Sequence, residues 1–456
     1  MGDKNQDITD SVANENRQSG KSGDKKFDFI TETIKKKPIN KKRVLAKVIF
    51  TFCMAVMFGV VACFTFLVAL PHIREKMYPE EPAVVSFEEE DTTPEEPETV
   101  ETEEVEKETV ADKKPEVVTK VVQKVEKVEK NLNVDDYKHL YSQLSGVAYE
   151  VKKSLVTVTG VYSDIDWFMN PYEENEATSG VIVADNGKEI LIVAQTKPIR
   201  YAHSIQVTFC DGTTEEAVIK KSDANTGLSV IGVDINSLTD ETRETITMAR
   251  LGSSRMASLV GSPVMALGNP IGVSGSMASG TITSCSYVKT MSDTSVTYLT
   301  TDMYGSSSAS GVLVDLEGSV LGIVYPDDTV GDIPNLIKAY GISDLRGKIE
   351  KLSNGQDLAY LGIYGTDVTK EAAEELGIPL GAYVKEVVID SPAMEAGIQN
   401  GDVIVKLGTT EISSFESFKD AMLKCQPGDL MMVTVLRQGR LEYTEVSYEI
   451  TLGTLK

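Results

Sequence analysis

The sequence predicts a mainly β protein: an antiparallel barrel or sandwich pair, then a compact α+β unit, with one membrane-spanning helix ahead of both. Three observations carry this prediction. From about Tyr141, short β-rich segments alternate with turns rich in Gly, Asn and Asp. From about Asp357, strand-like and helix-like segments interleave over a stretch of minimal domain size. Val48 to Leu70 is an apolar run without a single charge, and a membrane helix needs about 20 such residues.

At 456 residues the chain has room for two or three domains and their connections. Its 41% apolar content and 35 glycines suit a globular, strand-rich protein. A net charge of -24 excludes nucleic acid as an expected partner, because displacing counterions from phosphates requires a basic surface. The five cysteines (Cys53, Cys63, Cys210, Cys285, Cys425) lack C-x-x-C spacing, so neither a zinc ribbon nor a disulfide scaffold is expected; they read as small buried hydrophobes. No pattern calls for a metal or a cofactor.

Residues 1–47 are polar and lack an apolar period, which predicts a disordered tail. Lys35, Lys36, Lys37, Lys41, Lys42, Arg43 and Lys47 lie before or at the start of the membrane run (48–70), and an acidic segment follows it. The positive-inside rule then puts the N-terminus in the cytoplasm and the rest of the chain outside the cell membrane. The long leader and the lack of an A-x-A site speak against a cleaved signal peptide. Residues 71–115, rich in Glu, Pro and Thr, predict an extended acidic stalk. Within 116–140, Val118, Val121, Val125, Val128 and Leu132 alternate spacings of three and four, which suits a linker helix, either oligomerising or simply amphipathic.

Between 141 and 350, "SLVTVTGV", "SGVIVADNGKEILIV", "SIQVTFCDGTTEEAVIKK", "LSVIGVD", "GSPVMALGNPIG", "SGTITSCSYV" and "GVLVDLEGSVLGIVY" read as strands, with D-N-G and E-G as hairpin turns. Residues 357–453 read as strand "YLGIYGTDV", helix "KEAAEELG", strand "GAYVKEVV", a turn, strand "VIVKLG", helix "SFESFKDAMLKC", and strands "MMVTVLRQG" and "YTEVSYEITL".

These segments, in this order, resemble the HtrA (Do-like) serine proteases. The resemblance rests on "SGVIVADNGKEIL", "VGSPVMALGNPIG", "GTITS", the T-D at 301–302 and the hairpin at 311–324. In the last block it rests on "YLGI" and "SPAMEAGIQNGDVIVKLG". It implies a trypsin-like double β-barrel followed by a PDZ domain, and an endopeptidase of extracytoplasmic protein quality control. The three catalytic positions it points to are not occupied by a triad. Gln195 stands at the histidine position, Gly227 at the aspartate and Ala309 at the serine, while Ser307 replaces a glycine of the oxyanion loop. An amide takes up no proton near pH 7, and alanine offers no nucleophile. The fallback nucleophiles are Ser308 and Ser310, for which the bases to consider are His203, read as a surface residue, and Lys197.

The same resemblance makes Tyr360, Leu361, Gly362 and Ile363 a carboxylate-binding loop, with backbone N–H groups receiving a peptide C-terminus and the peptide adding as a strand. An ordinary edge strand is the alternative. Phe418 and Met422 either face that groove or pack in the core. Two functions follow as expectations. One is a membrane-anchored pseudoprotease that binds peptide C-termini or unfolded proteins as scaffold or regulator. The other is an active endopeptidase with a displaced nucleophile. Homotrimers, or co-assembly with an active relative, are implied only by the resemblance.

Overall fold

The computed structural model describes residues 41–77, 82–88, 133–165, 171–325, 335–440 and 442–455. The expected tail before Lys41, most of the stalk and the Val118–Leu132 heptads lie outside the described residues.

Helix α1 (Lys41–Met77) outruns the apolar stretch at both ends. Its segment Leu45–Thr65, of mean hydropathy 2.4, is long and apolar enough to cross a membrane. Within it the Thr51 and Thr65 hydroxyls bond back to the carbonyls of Lys47 and Val61, both at 2.6 Å. The hydroxyl hydrogens of both side chains are thus satisfied within the helix.

The remaining described chain begins with α2 (Val134–Lys152), started by a capping box in which Asn133 and Asp136 satisfy each other's backbone N–H groups. Two closed six-stranded barrels follow. The first comprises β1 (Leu155–Ile165), β2 (Pro171–Asp185), β3 (Glu189–Gln195), β4 (Ser204–Thr208), β5 (Thr214–Asp223) and β6 (Leu228–Asp234), ordered β1-β2-β3-β6-β5-β4. A short helix, α3 (Asp240–Thr245), leads onward. The second barrel comprises β7 (Pro263–Asn269), β8 (Ser276–Met291), β9 (Thr294–Tyr304), β10 (Ser310–Val314), β11 (Val320–Val324) and β12 (Leu336–Gly341), ordered β10-β11-β12-β9-β8-β7. Closure removes the unpaired edges that open sheets must protect. β10 and β11 are buried throughout, whereas β4 alternates. Both expected hairpins form, β2–β3 across Asn186-Gly187 and β10–β11 across Glu317-Gly318.

Helix α4 (Ile342–Ser353) packs beside the barrels and joins them to the terminal domain. That domain holds β13 (Ala359–Tyr360), β14 (Ile363–Asp367), α5 (Lys370–Leu376), β15 (Ala382–Val387), α6 (Pro392–Ala396), β16 (Val403–Leu407), β17 (Thr410–Glu411), α7 (Phe415–Lys424), β18 (Leu430–Gln438), β19 (Tyr443–Thr451) and β20 (Gly453–Thr454). Its main sheet runs β14-β15-β16-β18-β19, and β13 pairs with β20. The stretch read as a turn after β15 contains α6, started by the Ser391 cap with proline at the first turn.

Several expectations need correction. The helix before the barrels extends to Lys152, and the first strand begins only at Leu155. Within the expected stalk, Pro82–Glu88 is bound to the folded body: Val85 is buried, and its N–H and carbonyl pair with the Asn354 side chain at 2.8 Å each. Of the cysteines, only Cys425 is buried; Cys285 is half-buried and Cys53, Cys63 and Cys210 are exposed. Phe418 (0% exposed) and Met422 belong to the terminal domain's core cluster, where core packing was one of two open readings.

Candidate functional site

The seam between the two barrels brings positions 195, 227 and 309 together. Gln195 ends β3, and its Nε2 donates to the Ala309 carbonyl at 3.0 Å and the Val324 carbonyl at 3.2 Å. An imidazole there would leave these two acceptors differently served. Gly227 closes the β5–β6 turn: its N–H donates to the Asp223 carbonyl at 2.9 Å and its carbonyl accepts from Thr196 N–H at 2.8 Å. It adopts φ +67°, where side chains are disfavoured, and an added Cβ would lie 2.7 Å from the Tyr325 hydroxyl. Tyr325 packs on Tyr340 (centroids 4.8 Å apart), and Tyr340 on Tyr298 (5.0 Å).

The loop before β10 is folded on itself. Ala309 is 3% exposed, and its N–H donates to the Ser306 carbonyl at 3.0 Å. The donor that would face a tetrahedral oxyanion from this position is therefore committed within the loop. Ser308 is exposed; its hydroxyl pairs with the Ser306 hydroxyl at 3.0 Å. Ser310 is buried, and its oxygen accepts from the Ser179 N–H of β2 at 3.0 Å, a further bond across the seam. Neither serine bonds to a histidine or lysine among the described residues. His203 and Lys197 are both exposed. Ser307 is exposed too, and its hydroxyl makes no hydrogen bond among the described residues.

The second locus is the start of the terminal domain. Tyr360 is paired through its backbone with Gly453, so the free donors of this loop are the N–H groups of Leu361, Gly362 and Ile363. Gly362, at φ +93°, turns them inward, and a Cβ there would stand 2.2 Å from the Ser391 Cβ, so only glycine fits. All three donors point at the carboxylate of Asp293, from the two-residue turn between β8 and β9. Leu361 N–H reaches Oδ2 at 2.8 Å, Ile363 N–H reaches Oδ1 at 2.9 Å, and Gly362 N–H reaches both oxygens at 2.9 and 2.8 Å. Asp293 N–H in turn donates to the Ile363 carbonyl at 2.7 Å. Burial pushes the Asp293 carboxyl up to about 6, against the opposing pull of those three N–H groups. Burial, then the adjacent Asp293 charge, raises the Tyr360 phenol.

Charged side chains hold the same face shut. Arg255 joins Asp344 of α4 at 3.3 Å and also Glu416 of α7, while Lys419 of α7 pairs with Glu416 and lies 3.8 Å from Asp344. Asn225, in the turn that carries Gly227, donates to the Ser292 carbonyl at 2.8 Å. The Asp293 turn was missed by sequence reasoning. The run "VKTMSDTSVTYL" has the hairpin pattern of two β-prone stretches around S-D, which locates a turn but not its partner.

Comparison with known proteins agrees with both halves. A trypsin-like peptidase domain model matches residues 178–323 and a PDZ domain model matches 359–448. The chain is 28% identical over 281 residues to serine protease Do-like HtrB of Bacillus subtilis, covering 58% of this chain and 60% of that protein. It is 26% identical over 270 residues to periplasmic serine endoprotease DegP of Escherichia coli, covering 58% and 54%. The chain thus spans 60% or less of the length of these two curated relatives. Among solved structures, the HtrA-type protease AlgW with decapeptide aligns at 22% identity and TM-score 0.48, covering 69% of this chain and 98% of that one.

Proposed function

We propose that this chain, which belongs to the HtrA family of trypsin-fold serine proteases with a PDZ domain, is a catalytically inactive member that binds peptide C-termini or unfolded proteins through its PDZ loop. It acts as a membrane-anchored scaffold or regulator. The observation that carries the reading is the barrel seam, which brings together Gln195, Gly227 and Ala309, the residues that the resemblance puts at the triad positions, and where the Ala309 N–H is bonded to Ser306. Serine needs a neighbouring base to become nucleophilic, and the seam supplies an amide instead. The polar groups that remain tie the barrels together through Gln195 and Ser310.

Peptide binding is supported by three inward N–H donors around Gly362 and by β14, which pairs only with β15 in its sheet and leaves its other edge for an added strand. Membrane attachment is supported by Leu45–Thr65, and a cytoplasmic N-terminus with the folded domains outside is supported by the basic residues up to Lys47 under the positive-inside rule. Labelling the purified protein with a fluorophosphonate probe tests the catalytic half. No heat-sensitive labelling is expected. Stoichiometric labelling at Ser308 or Ser310 would instead assign an active endopeptidase with a displaced nucleophile.

A further inference from the structure

Three N–H groups around Gly362 form a site for one carboxylate, and in this structure a side chain of the same chain fills it. Both Asp293 oxygens are used, each by two of the donors. The backbone joins in: Asp293 N–H donates to the Ile363 carbonyl, as a strand-adding peptide would. The residue is 7% exposed and sits at φ +59°, a conformation that Asp and Asn tolerate better than most side chains. A two-residue turn thus presents a carboxylate on a short backbone segment, the shape of a chain terminus.

We propose that Asp293 is an internal ligand of the PDZ loop, the β8–β9 turn standing in for a peptide C-terminus, so that an outside peptide binds only after this turn has left. The inference rests on the peptide-binding reading above and adds its regulation. Competition is exclusive, because two carboxylates cannot share three donors that already serve two oxygens. Tethering gives the internal ligand a high effective concentration without any further contact. The bridge of Arg255, Asp344, Lys419 and Glu416 lies beside the turn and adds to the closed state. An outside ligand therefore sees its affinity reduced by the fraction of molecules that are open.

Two variants separate the carboxylate from the turn. Asp293→Asn keeps the shape but replaces one acceptor oxygen by an amide NH2 that opposes the loop's own N–H donors, and Asp293→Gly accepts φ +59° without strain and removes the side chain. The full chain in detergent is mixed with fluorescein-labelled hexapeptide pools ending in Val, Leu or Phe, as free acids and as C-terminal amides. Binding is read by polarisation, and hydrogen exchange is read at Leu361, Gly362 and Ile363. Both variants are expected to bind the free acids at least tenfold more tightly than the wild type, to leave the amides unbound, and to exchange these three N–H groups at least tenfold faster. Equal binding and equal exchange in wild type and variants would overturn the latch. Faster exchange without binding of any peptide would support the latch and overturn the peptide-binding reading instead.

Discussion

Rebuilding the triad by Gln195→His, Gly227→Asp and Ala309→Ser is expected to leave the protein at least about 100-fold less active than a competent trypsin-fold site, and the structure supplies the arithmetic. The Ala309 N–H is bonded to Ser306 at 3.0 Å, and loss of one oxyanion donor costs roughly 10²–10³ in rate, about 3–4 kcal/mol. The second obstacle is position 227, at φ +67°, where side chains in general pay about 1–2 kcal/mol and Asp less than most. Its Cβ would also meet the Tyr325 hydroxyl at 2.7 Å, so Tyr325 must leave its stack on Tyr340, an interaction of about 0.5–1.5 kcal/mol. Gln195→His further gives up the amide bonds to the Ala309 and Val324 carbonyls. Cleavage of unfolded casein, followed alongside fluorophosphonate labelling of residue 309, is the assay. Casein turnover by the triple variant within tenfold of an active HtrA relative would refute the reasoning, because it would mean that the loop reopens without help.

Further outcomes follow from individual contacts. For Asp293, a carboxyl held at about 6 when buried and near 4 when solvated makes the closed state bind its proton more tightly. Closure is then most favoured below about pH 4 and loses that advantage as pH rises through about 6. Tyr360, Arg255, Asp344, Lys348, Glu416, Lys419 and Asp420 border the same turn or its cavity, and burial raises the Tyr360 phenol further. Denaturant unfolding should show wild type losing about 1 kcal/mol relative to Asp293→Asn between pH 5 and pH 7, and a flat or rising difference would contradict it. Asn354→Ala removes both bonds to Val85 and should loosen Pro82–Glu88 by about 2 kcal/mol, seen as faster exchange at Val85 with unchanged protection in β10 and β11. Arg437→Ala strands Asp402, which is 1% exposed and held by two bonds of 2.8 and 2.7 Å; unfolding of the PDZ domain should come about 3 kcal/mol earlier.

Strand segments in both barrels were legible wherever hydrophobic runs met turn chemistry: Asn186-Gly187 and Glu317-Gly318 locate their hairpins because glycine supplies φ of +82° and +81°. That Gln195 is no proton acceptor and Ala309 no nucleophile was legible too, since residue identity alone decides it. Strands β9 and β12 were passed over, the first because "TSVTYLTTDMY" lacks strict alternation while most of it is buried within a closed barrel. The strap at Pro82–Glu88 hid inside an acidic segment, because its docking depends on Asn354 and Glu350, more than 250 residues away in sequence. Asp293 was invisible for the same reason. A carboxylate in a turn reads as solvated until its partners, 68 to 70 residues on, are known.

One hydrogen-bonded unit links the two loci. Asn225 holds the Ser292 carbonyl, so the turn that presents Asp293 is fixed to the turn that carries Gly227. That second turn is itself held by the buried pair of Asp223 and Lys348, 3.4 Å apart, with Thr226 donating to Asp223 at 2.8 Å. Withdrawal of Asp293 from the PDZ loop therefore releases a constraint on the wall of the barrel seam, where Gly227 faces Tyr325. Asn225→Ala should separate the two movements. The variant keeps every Asp293 carboxylate bond, so exchange at Leu361–Ile363 should change little. Any change in Tyr325 side-chain order that accompanies opening in Asp293→Gly should then disappear in the double variant. If that change persists, as read by the Tyr325 ring resonances, the two loci move independently and the coupling runs through other contacts than Asn225.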